Sequence, residues 1–203
     1  MKKGLFITFE GIDGCGKTTQ LNLLAQYLKE KGLDVLITRE PGAIGLGEKI
    51  RALLLDYDGE VSSNCEAFLF LADRAQHCDV IVKPAVEKGV IVLSDRHTDS
   101  TLAYQGYGRG IDLEHLGRQN NIAINGLKPD LTFVFDIDVK TALARVGKKQ
   151  DRMESAGVEF FEKTAKGYLE IAKQEPQRVK VIDARDSIEN IFKQVRNVLN
   201  DLI

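Results

Sequence analysis

Apolar residues in this chain of 203 fall into short unbroken runs separated by stretches of helical spacing. Leu5, Phe6, Ile7, Thr8 and Phe9 form a first β-prone run. Leu21, Leu24, Ala25 and Leu28 then recur on one helix face until Gly32 stops it. DVLITRE (34–40) reads as a second strand, ended by the Pro41-Gly42 turn. A helix over 48–55 and a long helix over 66–88, with Phe68, Leu71, Ala75 and Ile81 among its apolar positions, lead into GVIVLSDR (89–96). The β-branched run in that segment predicts a central strand covered on both faces. The pattern then predicts a helix over 112–125, the strand LTFVFDID (131–138), a helix near 141–146, a helix over 159–173 and a strand over 178–182. Ser187 caps a terminal helix through Leu202.

Five strands alternating with helices require crossover connections, so the expected architecture is an α/β domain with a mostly parallel five-stranded sheet and helices on both faces. With 43% hydrophobic residues, four prolines and no linker or repeat, residues 1–203 read as one domain. Such sheets bind ligands beyond the carboxyl ends of their strands. Arg39-Glu40-Pro41, Asp95-Arg96 and Asp136 all fall at predicted strand ends and should converge on one crevice.

Charge narrows the partners. Lys and Arg number 28 against 30 Asp and Glu, a net charge of −2 that gives no electrostatic reason to expect a nucleic-acid polymer or a membrane. Cys15, Cys65 and Cys78 form no C-x-x-C pair and fit reduced thiols. The first residues do not resemble a cleavable signal, and no apolar run reaches membrane-spanning length, so a cytoplasmic enzyme is expected.

The chemistry is concentrated between the first strand and the first helix. In FEGIDGCGKTTQ (9–20), Gly11, Gly16, Lys17 and Thr18 satisfy G-x-x-x-x-G-K-S/T, a loop whose backbone N–H groups cradle phosphates at a helix N-terminus. Residues Gly11, Ile12, Asp13, Gly14, Cys15, Gly16, Lys17, Thr18 and Thr19 are therefore the expected segment for the phosphates of a nucleotide, ATP by the resemblance given below, with the Thr18 hydroxyl offered to Mg²⁺. The guanine-reading N/T-K-x-D tetrapeptide is absent, which weighs against a GTP switch.

FEGIDGCGKTT, REPG, LADRAQ, SDRHTDSTLAYQGYGRG and Asp151-Arg152 occur in this order, and through them the chain strongly resembles the thymidylate kinase family over nearly its full length. The resemblance implies a P-loop kinase fold, usually homodimeric, that phosphorylates dTMP with ATP and Mg²⁺. It implies that Lys17 follows the transferred phosphoryl group and that Thr18 and Asp95 serve the metal. Asp13 would hold the acceptor sugar, and Arg39 and Arg96 its phosphate, with Glu40 and Pro41 in the same loop. By the same resemblance Phe68 stacks on thymine, Arg74 donates to its O4, and Ser100, Thr101 and Gln105 contact the acceptor. Tyr104 would leave no room for a 2'-hydroxyl.

Some members of the family carry an arginine where Gly14 stands here. In the bacterial kind a lid near 145–158 supplies it, making Arg152 catalytic and Arg145 its neighbour at the ATP, while Arg185 is expected near adenine. His77, His97 and His115 read as structural. Two departures from the family pattern bear on loop shape: Ala43-Ile44 replaces a glycine and a polar residue, and Val139 stands in place of a proline. A kinase for another nucleoside monophosphate or deoxynucleoside, or a nucleotide-dependent binding or assembly protein, shares the loop but not the rest of this set.

Overall fold

In a computed structural model that describes residues 4–146, 152–153 and 156–200, five parallel strands carry the fold. They are β1 (Phe6–Glu10), β2 (Val35–Arg39), β3 (Ile91–Asp95), β4 (Leu131–Asp136) and β5 (Val179–Asp183), side by side in the order β2-β3-β1-β4-β5. All five residues of the central β1 are buried, as a strand with neighbours on both edges and helices on both faces requires. Thr8 in this strand is tolerated because its hydroxyl shares a hydrogen bond of 2.7 Å with Thr132 of β4. Phe9 packs between Phe133 and Phe135 at ring separations of 5.5 and 5.9 Å.

The register brings the chemistry together. Phe9 lies beside Asp95, and Asp95 beside Arg39, so the chain leaves β1, β2 and β3 along one edge of the sheet. Helix α1 (Lys17–Glu30) starts directly from the loop after β1, and α2 (Leu46–Leu55) follows the loop after β2. The long helix begins earlier than its apolar pattern predicts, at α3 (Ser63–His77), because the Ser62 hydroxyl accepts the Cys65 N–H. It continues as a π-helical stretch (Cys78–Val82) into α4 (Lys83–Glu87).

No helix was predicted directly after β3, yet the chain there forms α5 (Thr98–Thr101), which winds into a second π-helical stretch, Leu102–Gly108. Wide turns of this kind are frequent at functional sites. Gly108 lets α8 (Val158–Gln174) close on it, since a Cβ there would meet the Phe160 ring. The remaining elements are α6 (Leu113–Ile124), α7 (Val139–Arg145) and α9 (Ile188–Asn200). Val139 does not leave α7 without a defined start, because Asp138 accepts the Thr141 N–H at 2.8 Å and caps it. No helix among the described residues is long and apolar enough to cross a membrane.

Candidate active site

The loop after β1 forms one wall of a cavity of about 1050 Å³, lined by residues 13–19 together with Arg39, Asp95, Arg96 and Arg145. Inside the loop the Lys17 ammonium is buried and donates to the carbonyls of Gly11 and Ile12 at 3.1 and 3.0 Å. Gly11 also accepts Arg96 Nη1 at 3.0 Å, so one carbonyl joins the cation of the phosphate loop to the arginine that ends β3. Across the cavity, Thr18 Oγ1 donates to Asp95 Oδ2 at 2.9 Å. A hydroxyl paired with a carboxylate at the mouth of a phosphate loop is an all-oxygen donor set suited to a hard divalent cation.

Arg96 is held in a left-handed backbone conformation, φ 72°, that costs energy for a residue with a side chain. Its guanidinium lies back over the loop after β1. Nη2 meets Asp13 Oδ1 at 2.7 Å and the Tyr104 hydroxyl at 3.1 Å, and Nη1 meets Ser100 Oγ and the Tyr168 hydroxyl, each at 3.2 Å. The Tyr104 hydroxyl in turn donates to Asp13 Oδ2 at 3.0 Å. Burial pushes the Asp13 carboxyl up, but the Arg96 and Lys17 charges outweigh it and bring it down to about 2. Asp13 is thus an anion at neutral pH, and Arg96 a fixed cation.

A second, smaller pocket adjoins the first and shares Asp13, Glu40, Arg51 and Arg96 with it. Its other walls are Pro41, Leu55, Phe70, Ser100, Thr101, Tyr104, Gln105 and Met153. Asp13, Arg96, Ser100, Thr101, Tyr104 and Gln105 therefore meet where the resemblance implies an acceptor, while Gly14–Thr19, Arg39 and Asp95 face the larger cavity.

Phe68 does not join them. It is 58% exposed on the outer side of α3, and the ring lining the pocket is that of Phe70. Two residues on a helix point about 200° apart, so only one phenylalanine of the Phe68-Leu69-Phe70 run can face inward.

Arg74 stands behind the pocket wall and lines neither cavity. It is 1% exposed, with Nε on Glu40 (2.8 Å), Nη1 on Thr101 and Asn120 (2.7 and 2.8 Å) and Nη2 on the His97 carbonyl (2.9 Å). Four of its five N–H groups are bonded within the protein, which leaves one, and the side chain buttresses the wall from behind. Glu40 is its counter-ion and accepts His77 Nδ1 and His97 Nδ1 at 2.7 and 2.9 Å on its other oxygen. Burial raises the Glu40 carboxyl, but Arg74 and His97 more than reverse this and hold it well below the usual range. Both histidines are buried within this network, and His115 lies exposed on α6.

Arg152, expected over the phosphates, lies on the acceptor side. Its Nη1 is 2.7 Å from Glu66 Oε2, and its Nε donates to the Leu54 carbonyl at 2.9 Å. Arg145 is the arginine of this segment that lines the larger cavity. Residues 147–151, 154 and 155 of the expected lid, Lys148 and Lys149 with them, lie outside the described residues. Arg185 pairs with Asp183 at 2.7 Å and is not part of the cavity wall, whereas its neighbours Asp186 and Ile188 are. Asp136 ends β4 away from both cavities. Ala43 and Ile44 line the larger one and give that wall an apolar edge.

The absence of an arginine at position 14 has a local cause. Gly14 has φ 81°, and a Cβ there would run into the Ala142 carbonyl of α7. Sequence reasoning gives no role to several buried side chains, among them the four Glu10, Glu66, Asp73 and Tyr168. A carboxylate that turns inward is indistinguishable in a sequence from one that faces water. Tyr168, on the buried stripe of α8, was the only one of the four with a legible signal.

A parallel sheet in the order 2-3-1-4-5, with a phosphate loop after its central strand and an arginine-bearing pocket beside that loop, defines a P-loop kinase fold. The thymidylate kinase family model matches residues 9–195. The chain is 46% identical over 205 residues to a thymidylate kinase of Desulfovibrio desulfuricans, covering 96% of this chain and 94% of that protein. It is 49% identical over 191 residues to one of a Sulfurihydrogenibium species, covering 94% of each. The crystal structure of thymidylate kinase from Ehrlichia chaffeensis superposes with a TM-score of 0.82 at 38% identity, over 98% of this chain and 100% of that one. The chain belongs to the thymidylate kinase family.

Proposed function

We propose that the protein transfers the γ-phosphoryl group of ATP to dTMP, with ATP phosphates in the larger cavity and dTMP in the smaller pocket. The observation that carries this reading is the shared wall: Asp13 and Arg96 face both cavities, beside the Lys17 loop. A dTMP phosphate at Arg96 would then stand next to the phosphates gripped by residues 11–19. The phosphate monoester has a second pKa of about 6, so the acceptor oxygen is already largely deprotonated at neutral pH and needs no general base. Catalysis then consists of alignment and charge neutralisation. Lys17, Arg39, Arg96 and Arg145 supply the cations, and Asp13 and Tyr104 fix the Arg96 fork. Thr18 and Asp95 would hold Mg²⁺, which when bound offsets the negative charge of the ATP phosphates.

Phe70, in place of Phe68, would stack on the base, and Thr101 and Gln105 would read its edge. ADP release measured with dTMP, dUMP, UMP, CMP and AMP as acceptors tests the reading. Turnover should require an acceptor and should favour dTMP. Preference for another monophosphate would make the protein a different kinase, and equal turnover without any acceptor would make it a nucleotide-driven binding or assembly protein.

We also propose a homodimer through the face formed by α3 and α6, where Phe68 and Ile122 are 58% and 80% exposed. Light scattering should give twice the chain mass, and Phe68→Glu should halve it; a monomeric wild type removes the proposal.

A further inference from the structure

We propose that Glu66 sets the base specificity of the acceptor pocket by fixing the Gln105 amide so that its carbonyl is the end left for the base. This rests on the reading of that pocket as the dTMP site. Glu66 lies in the first turn of α3 and is 1% exposed, although nothing in the phosphotransfer chemistry uses it. All its recorded partners are N–H donors. Oε1 accepts Gln105 Nε2 at 2.9 Å and Arg109 Nε at 3.3 Å, and Oε2 accepts Arg152 Nη1 at 2.7 Å and Arg109 Nη2 at 3.2 Å.

A carboxylate so placed can only accept, so Gln105 must turn its NH₂ group towards it. The reverse orientation would oppose two acceptor oxygens with no proton between them. Gln105 itself is buried and contributes to the pocket wall beside Phe70, Thr101 and Tyr104. With NH₂ committed to Glu66, an acceptor remains for the base edge. Thymine offers N3–H there, a donor, whereas N3 of cytosine is an acceptor and would meet the Gln105 oxygen lone pair to lone pair. Rejection by an unmatched polar group is the strong form of discrimination. Gln105, which lines the pocket, is placed to exert it.

Glu66→Gln tests this by a predicted inversion. The new amide would keep its oxygen against Arg152, the shortest of the four contacts, and Arg109 Nη2, and would place NH₂ against Gln105 and the more distant Arg109 Nε. Gln105 would then flip and present a donor to the base. The ratio of kcat/KM for dTMP to that for dCMP should fall by at least about tenfold, with KM for ATP unchanged. The swapped double variant, Glu66→Gln with Gln105→Glu, again leaves an acceptor facing the base and should recover the ratio to within about threefold. A folded Glu66→Gln protein with the parent ratio overturns the proposal, as does a swap no better than the single variant.

Gln105→Leu separates the two layers of the argument. If it leaves dTMP kinetics unchanged, Gln105 does not read the base and both readings fall. If it impairs dTMP use while Glu66→Gln does not, only the role of Glu66 falls. Should Glu66→Gln not fold, Gln105→Glu decides with Glu66 intact. Two facing carboxyls share a proton, so its KM for dTMP should climb as pH rises and that proton leaves; a KM flat with pH overturns the proposal.

Discussion

Arg74 shows how a residue type can be legible while its job is not. Its place in LADRAQ marks an arginine near the acceptor, but its partners, Glu40, the His97 carbonyl and Thr101, and Asn120, come from three distant segments and have no signature in the local sequence. Arg74→Ala would leave the Glu40 carboxylate buried against two histidines, and breaking a buried pair by removing one partner costs about 3–5 kcal/mol. Urea denaturation should show that loss; a cost below about 1 kcal/mol would mean the network is not what holds the wall. The phenylalanines give a paired test at the same scale. Phe70→Ala should raise KM for dTMP about tenfold or more, because stacking of a base on an aromatic ring contributes about 1–3 kcal/mol. Phe68→Ala should leave that KM within about twofold, since its ring is 58% exposed and outside the pocket. Equal effects at the two positions would reverse the assignment.

At the scale of elements, most of the fold was legible because each strand is a short run rich in β-branched and aromatic residues and each main helix has a buried stripe. The five strands and the sheet class follow from that alternation. The segment Thr98–Gly108 was not legible, because a π-helical winding has no periodic pattern of its own and is set here by α8 packing against it. The phosphate loop was the clearest element of the site, but the reason for Gly14 lay in another element, the Ala142 carbonyl of α7. That contact makes a prediction about the loop. Gly14→Ala should force α7 or the loop to move, adding strain at φ 81° to the clash. ATP affinity should fall by about tenfold or more, while a thermal melt shows the fold intact within a few degrees. Unchanged ATP affinity would show that the loop tolerates displacement and that the fit against α7 is incidental.

For the molecule as a whole, the buried Glu10 carboxyl ties β1 to α5 and α8. Oε2 accepts Ser100 Oγ at 2.6 Å and the Tyr168 hydroxyl at 3.1 Å, and Oε1 accepts the His97 N–H at 2.7 Å. Burial, with the Asp99 charge adding to it, raises this carboxyl from the usual 4.5 to about 7. The native state therefore holds a proton that the unfolded chain has released between these values. Stability must fall as pH rises through that window, by on the order of 2–3 kcal/mol from this group. Other groups act in the opposite sense, the Glu40 carboxylate among them. Asp13, held at about 2, contributes stability above its ordinary range that is lost in acid, and buried His97, whose pKa burial lowers, costs stability as pH falls below the usual histidine range. The sum over all these groups is blurred, but a difference between two proteins is not. Glu10→Gln keeps the shape of the carboxyl without its titration, so the stability of the parent minus that of the variant should decline from pH 4.5 to about 7 and level off beyond it. Parallel urea titrations of both proteins at half-unit pH steps measure this difference. A difference independent of pH would show that Glu10 stays ionised in the core, and a difference that grows with pH would mean that Ser100, Tyr168 and the His97 N–H stabilise the anion more than burial penalises it.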